Sequence, residues 1–382
     1  MGFRVVAVVV AVTSALASTG CADDCGDGEY RDPEICFNEH VLEVQSEAAS
    51  PLALRAGDFD GDGLDDVLVV GAESGTITTD LRLGDGAGGL GEPRDVRVAG
   101  CSAYPVTGDL DLDGAVDLLF PTCDAGVLVY RADGAGGFAP AFEIAVGIDI
   151  RTTTLTDVDG DGRRDLLVLG AMSGQPALSI VRADPAGGFA APEVHLAVVP
   201  GLDRFAPDAF VAGRLRRDGP VELVLAEQGR SDGLARATLA GGGFGPLVAM
   251  TTGLRPGGLY LRDLDDDDIL DVLVLDTAPD ALAPLLGPDL TEGPRTNLGS
   301  RPGPIALAHL DGDGSLDAVL FHGDRLGLWR GVGDGRFTAA VQLEFVGDVV
   351  EVVLPDLNAD GRADVVAGLF PDRGLAIRLS GP

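Results

Sequence analysis

Short apolar runs punctuate this chain at regular intervals. Val67-Leu68-Val69-Val70, Leu118-Leu119-Phe120 and Leu166-Leu167-Val168-Leu169 are rich in Val and Leu and bounded by turn-forming residues. Runs of this length, ended by Gly, Pro or Ser, read as buried strands. After a turn comes a second run, such as Gly126-Val127-Leu128-Val129-Tyr130. A Gly-rich turn follows, as in Asp85-Gly86-Ala87-Gly88-Gly89-Leu90 and Asp133-Gly134-Ala135-Gly136-Gly137-Phe138, and then a segment opening on an aromatic or apolar residue. No stretch carries a long helical period. The pattern predicts an all-β chain of repeated four-stranded units.

An acidic loop stands just before the first run of each unit. In the first loop Asp58, Asp60, Asp62 and Asp66 hold positions 1, 3, 5 and 9. The same positions are held by Asp109, Asp111, Asp113 and Asp117, by Asp157, Asp159, Asp161 and Asp165, by Asp263, Asp265, Asp267 and Asp271, and by Asp356, Asn358, Asp360 and Asp364. A hairpin turn needs one Asp or Asn and a Gly, so four acids exceed that need. Two carboxylates ~4 Å apart repel by roughly 4 kcal/mol at an effective dielectric of ~20, which opposes folding unless a cation joins them. The donors are hard oxygens, which favours calcium over zinc or copper. The backbone carbonyls at position 7, those of Leu64, Ala115, Arg163, Ile269 and Arg362, would complete the ligand sets. An EF-hand is excluded, because it needs a Glu at position 12 and flanking helices. Position 12 is Val69, Phe120, Val168, Val274 and Ala367 in turn.

Two further loops depart from the pattern. In one, Arg214, Arg216, Asp218 and Glu222 occupy the four positions. An arginine there could replace the ion and bridge both acids, or it could point into solvent and contribute little. In the other, His309 replaces the first acid while Asp311, Asp313 and Asp317 remain. A neutral imidazole is a poor ligand for a hard cation, so the expectation is about five calcium sites and a sixth, weak one. The loops begin at residues 58, 109, 157, 214, 263, 309 and 356, at intervals of 51, 48, 57, 49, 46 and 47. That periodicity overrides the two or three domains that 382 residues would otherwise suggest. With 56 Gly and 23 Pro, the composition suits an all-β fold with many turns. The net charge of -34 argues against nucleic acid or an anionic membrane surface as partner.

Residues 1–20 combine Arg4 with an apolar stretch from Val5 to Ala17, an export signal too short to span a bilayer. Ser18-Thr19-Gly20-Cys21 resembles a bacterial lipoprotein cleavage box, whose Cys would be lipidated, although Ala15-Leu16-Ala17 would serve ordinary signal peptidase and release a secreted protein. Lipidation of Cys21 leaves four of the five cysteines to pair. Within the linker, residues 21–36, Cys25 and Cys36 bound a short segment read as a disulfide loop, reasonable in an oxidising compartment.

Four-stranded units repeating about every 50 residues suggest a β-propeller over residues 37–382. The Asp loop, the apolar strand and the Gly-rich turn ending in Phe138, Phe189, Phe244 or Phe337 recur in register, and together they resemble the FG-GAP or VCBS repeat family. Its members include the integrin α-chain propeller. Seven loops give seven blades. The seventh has three strands before the chain ends, and Phe37 to Val44 would supply its fourth and close the ring. Antiparallel pairing within the second blade would bring Cys101 and Cys123 to the rim opposite the acidic loops, where a bridge could form. The resemblance implies structural calcium on one face and ligand binding on the other.

No Ser, Cys or Thr nucleophile sits in a recognisable motif, and His40, His195, His309 and His322 are scattered. Acids are too numerous for a catalytic pair to be located. The leading expectation is a monomeric, non-enzymatic, calcium-stabilised propeller in the cell envelope, anchored at Cys21 and binding a protein partner. The alternatives are a lectin-like, glycan-binding propeller and a polysaccharide lyase or hydrolase. A single Trp, Trp329, and four Tyr are a poor supply of sugar-stacking platforms.

Overall fold

The computed structural model of the chain describes residues 42–45, 51–73, 76–99, 104–200, 204–240, 243–299, 303, 305–322, 325–345, 348–370 and 374–381. The segments expected to form an export signal, a lipidation site at Cys21 and a Cys25–Cys36 disulfide loop, together with Cys101, lie outside these residues. Among those described there is no helix, and hence none long and apolar enough to cross a membrane.

Seven antiparallel sheets follow one another along the described chain, forming a seven-bladed β-propeller. Blade one comprises Pro51–Gly57, Asp66–Glu73 and Thr76–Arg82. Blade two runs through Val106–Gly108, Asp117–Pro121, Gly126–Tyr130 and Phe142–Ala145. Blade three is Asp149–Thr156, Asp165–Met172, Gln175–Val181 and Glu193–Leu196. Blades four and five start at Ala209–Gly213 and Pro256–Arg262. Blade six is Ile305–Ala308, Asp317–His322, Arg325–Gly331 and Phe337–Glu344. Blade seven is Asp348–Val353, Val365–Phe370 and Gly374–Arg378.

The chain ends close the ring. Leu42–Gln45 pairs antiparallel with Gly374–Arg378, from Leu42 opposite Ile377 to Gln45 opposite Gly374. The closing strand therefore lies at the end of the expected segment Phe37 to Val44 and one residue beyond it. The outer strands are less regular than four per blade. Blade one has three strands, continued by a backbone bridge between Leu81 and Arg94. In blades four and five the outer strand is split, into Gly243–Phe244 and Val248–Met250 and into Thr291–Glu292 and Thr296–Asn297. Pro93 precedes the bridge, and Pro246 and Pro294 fall in the two breaks. Proline has no N–H to give a ladder, and an outer edge tolerates it.

Strand alternation builds the core. Val67 and Val69 pack with Leu54, Val366 and Ile377, against blade seven, while Leu68 and Val70 pack with Leu118 and Phe120, against blade two. Both faces of a second strand are thus buried, which is why it reads as an uninterrupted apolar run. Among the described residues each neighbouring pair of blades has such a cluster. The second position of every acidic loop adds to it: Phe59, Leu110, Val158, Leu215, Leu264, Leu310 and Leu357 are all buried. Each loop is pegged to the core by one apolar side chain between its polar neighbours.

Phe59 is the largest peg, fully buried and edge-on to Phe138 with ring centroids 6.3 Å apart. Phe59→Ala is expected to destabilise the fold by about 3–5 kcal/mol in denaturant unfolding. A loss below about 1 kcal/mol would show that the loop is held by its acids alone.

Candidate metal centre

The ninth-position Asp is the most constrained group in each loop. Asp66, Asp117, Asp165, Asp271, Asp317 and Asp364 are all buried. One carboxylate oxygen of each accepts the backbone N–H of loop position 2, from Phe59, Leu110, Val158, Leu264, Leu310 and Leu357, at 2.8–2.9 Å. The other oxygen accepts an N–H at the end of the third strand. Those donors are Gly84, Ala132, Ala183, Gly287, Gly331 and Ser380, at 2.6–2.9 Å. The side chain clamps the first strand's exit to the third strand's end.

Positions 1 and 5 also serve the backbone. Asp58 accepts the N–H groups of Gly61 at 2.6 Å and Gly63 at 2.8 Å, and Asp109 and Asp157 accept equivalent amides. Position 5 accepts the amide of position 7, as Asp62 does from Leu64 at 2.9 Å. Winding a loop around its own acids requires left-handed backbone. Gly61 and Gly63 have φ of +77° and +86°, where a Cβ is disfavoured. In loops one and three all four acids accept a backbone amide, which corrects the inference that a turn needs only one.

Position 3 accepts the amide of position 5, at 3.3 Å in Asp60 and Asp159 and 3.0 Å in Asp311, but is not fully satisfied by it in every loop. Asp111 and Asp265 each have one buried side-chain oxygen with no hydrogen-bond partner. Carboxylate oxygens of Asp58, Asp60 and Asp62 lie within 4.8 Å of one another, as do those of Asp109, Asp111 and Asp117, of Asp157, Asp159 and Asp165, and of Asp263, Asp265 and Asp271. A buried acceptor without a donor is costly, and a cation is the partner that would satisfy it. These four clusters offer hard oxygens only, so the donor set fits calcium.

The remaining loops differ in kind. In loop seven Asn358 brings a neutral oxygen to position 3, and its amide donates to Asp360 at 3.1 Å. In loop four Arg216 Nε lies 3.5 Å from buried Glu222, so one arginine does meet an acid, but Arg214 donates to the carbonyl of Gly219 instead. At 45% exposure the Arg216 pair is worth little. In loop six the ring of His309 bonds the carbonyl of Ser315 at position 7, 3.0 Å away, taking up an oxygen that a cation would use.

Three arginines reach these acids from the third strand. Arg131 pairs with Asp111, Arg182 Nε lies 3.7 Å from Asp159, and Arg330 donates from Nε to Asp311 at 2.7 Å and from Nη2 to Asp313 at 2.8 Å. None was singled out by the loop spacing, because each lies 17 to 23 residues beyond its acid and meets it only through strand register.

Burial pushes the carboxyls of Asp66, Asp117, Asp271, Asp317 and Asp364 up to about 6, outweighing their backbone hydrogen bonds. Burial, then the charges of their loop neighbours, also raises Asp60 and Asp265. In the absence of a cation the unfolded chain ionises first, near 3.8, and the native state binds more protons up to about 6. Stability in chelator should therefore fall as pH rises through that window. Saturating calcium should reverse the slope, since the ion favours ionised carboxylates. Melting curves at pH 4 and pH 7 with and without chelator check both signs. The two acid roles separate by mutation. Asp271→Asn leaves one amide facing another donor and should cost about 1–3 kcal/mol with or without calcium. Asp265→Asn should be neutral or stabilising in chelator, by relief of repulsion, and destabilising only relative to wild type in calcium. Equal effects of the two substitutions in chelator would contradict the division.

Comparison with known proteins agrees with this architecture. The profile of the FG-GAP-like repeat matches residues 109–168 and 309–367. No curated protein sequence matches the chain. Among solved structures, an Agrocybe aegerita lectin described as recognising non-reducing terminal N-acetylglucosamine is 20% identical, with a TM-score of 0.56 over 78% of this chain and 81% of that one. BBS1N, solved in complex with ARL6DN, is 10% identical, with a TM-score of 0.57 over 88% of this chain and 96% of that one. The periplasmic gluconolactonase of Pseudomonas aeruginosa is 14% identical, with a TM-score of 0.53 over 81% of this chain and 96% of that one. At such identities these likenesses speak to the fold alone. The chain carries FG-GAP-like repeats at the two matched stretches, on a β-propeller of seven antiparallel blades.

Proposed function

We propose that this protein is an exported, calcium-stabilised propeller that acts as a non-enzymatic binding scaffold, with its acidic loops serving stability and the opposite rim serving recognition. The observation that carries the calcium reading is the orphaned, buried third-position oxygen of Asp111 and Asp265, each inside a cluster of three acids. The carboxylates at positions 1, 3 and 9, or 1, 3 and 5 in loop one, would hold the ion, with the position-7 carbonyls adding donors. When bound, calcium supplies charge neutralisation and crosslinks the loop. The chain's own acids organise the loop around their backbone amides.

The rim opposite the loops offers a place for a partner. A cavity of about 690 Å³ there is lined by Arg55, Tyr104, Thr122, Asp149 and Arg151, among others. Both signs of charge beside apolar Pro105 and Val106 suit a protein surface. Glycan binding is the second reading, favoured by Tyr104, which at 60% exposure presents a stacking face in the same cavity. A glycan array beside an envelope pull-down separates the two. The export signal and Cys21 would place this rim in the cell envelope.

The thermal transition tests the calcium reading. A site with a dissociation constant ~100-fold below ambient calcium contributes about 2.7 kcal/mol, so several sites should shift the melting temperature markedly on chelation. An unchanged transition in chelator would refute it.

A further inference from the structure

Loops five and six start from nearly the same acids, yet they are neutralised differently. One position that differs lies at the end of the third strand, immediately before the residue whose N–H meets the ninth Asp. It is Leu83 in blade one, Arg131 in two, Arg182 in three, Leu286 in five, Arg330 in six and Leu379 in seven. A leucine there brings no charge to the acids, and in loop five the buried oxygen of Asp265 stays without a partner. An arginine brings a guanidinium to position 3.

The three arginines spend their donors differently. Arg131 meets Asp111 with one arm and the carbonyl of Gly187, in the neighbouring blade, with the other. Arg182 divides its guanidinium between Asp159 and Glu193. Both loops retain a cluster of three acids. Arg330 commits two donors to one loop, bridging Asp311, whose side chain is 1% exposed, and Asp313. Among the described residues loop six forms no cluster of three acids, and His309 also takes the carbonyl of Ser315.

We infer that Arg330, through its two-donor bridge to Asp311 and Asp313, is a built-in cation occupying the calcium position of loop six, so that blade six folds without metal. A planar guanidinium can satisfy two carboxylates at once with directional hydrogen bonds. Restoring an acid at His309 would then not restore a site, because the space between Asp311 and Asp313 is already filled.

The inference rests on the calcium reading above, and the test keeps the two apart. Calcium is counted by calorimetry on the full chain after chelator treatment, and melting temperature is read in chelator, for wild type, His309→Asp, the double variant His309→Asp with Arg330→Leu, and Arg330→Leu alone. The expected result is no added ion in His309→Asp and one added ion in the double variant. In chelator Arg330→Leu should melt below wild type. An added ion in His309→Asp alone, or none added in the double variant, overturns the inference while leaving the calcium reading intact. If wild type binds no calcium, that reading falls instead. The chelator melts then still decide whether Arg330 acts as an internal cation, and an Arg330→Leu transition equal to wild type would overturn it.

Discussion

A carboxylate buried at the ninth loop position, accepting two backbone N–H groups, is the interaction on which this propeller depends. Through it, in six of the seven blades, the exit of the first strand is tied to the end of the third strand, across the second strand that carries the Asp. The same constraint sets the blade's spacing and holds the apolar peg at position 2 in the core. Because it places a negative charge in a water-poor site, it also creates the electrostatic problem that the rest of the loop must answer.

The blades answer that problem in more than one way. Loops one, two, three and five gather three carboxylates within 4.8 Å, an arrangement that could hold a cation from outside. Loop four sets Arg216 against Glu222, and loop six sets Arg330 against Asp311 and Asp313. Loop seven lowers the charge by placing Asn358 at position 3. Partial neutralisation from within would let a ring of repeated acidic loops fold while its individual ion sites differ in strength. In the proposed scaffold, variation among loops on this face leaves the opposite rim free to diverge for recognition.

Much of this was legible in the sequence, for physical reasons that can be named. The blade count followed from the loop spacing, and the buried second strands from runs such as Val67 to Val70, because burial on both faces removes polar alternation. Ring closure followed from a seventh blade one strand short. The third-strand arginines were not legible. Arg330 meets Asp311 only when Ala318 pairs with Trp329, and register is a tertiary fact. Nor could spacing distinguish Asp265, with its unpartnered oxygen, from Asp271, which clamps two amides, since both are simply Asp in one loop. The split outer strands of blades four and five were not legible either, since the missing N–H groups of Pro246 and Pro294 carry that meaning only once the sheet edge is known.

The most direct measurement is anomalous scattering from crystals of the full chain grown in calcium, which locates each ion independently of any stability readout. The account predicts ions among the acids of loops one, two, three and five, and a guanidinium rather than an ion between Asp311 and Asp313. Loops one and five without an ion, or an ion between Asp311 and Asp313, would contradict it.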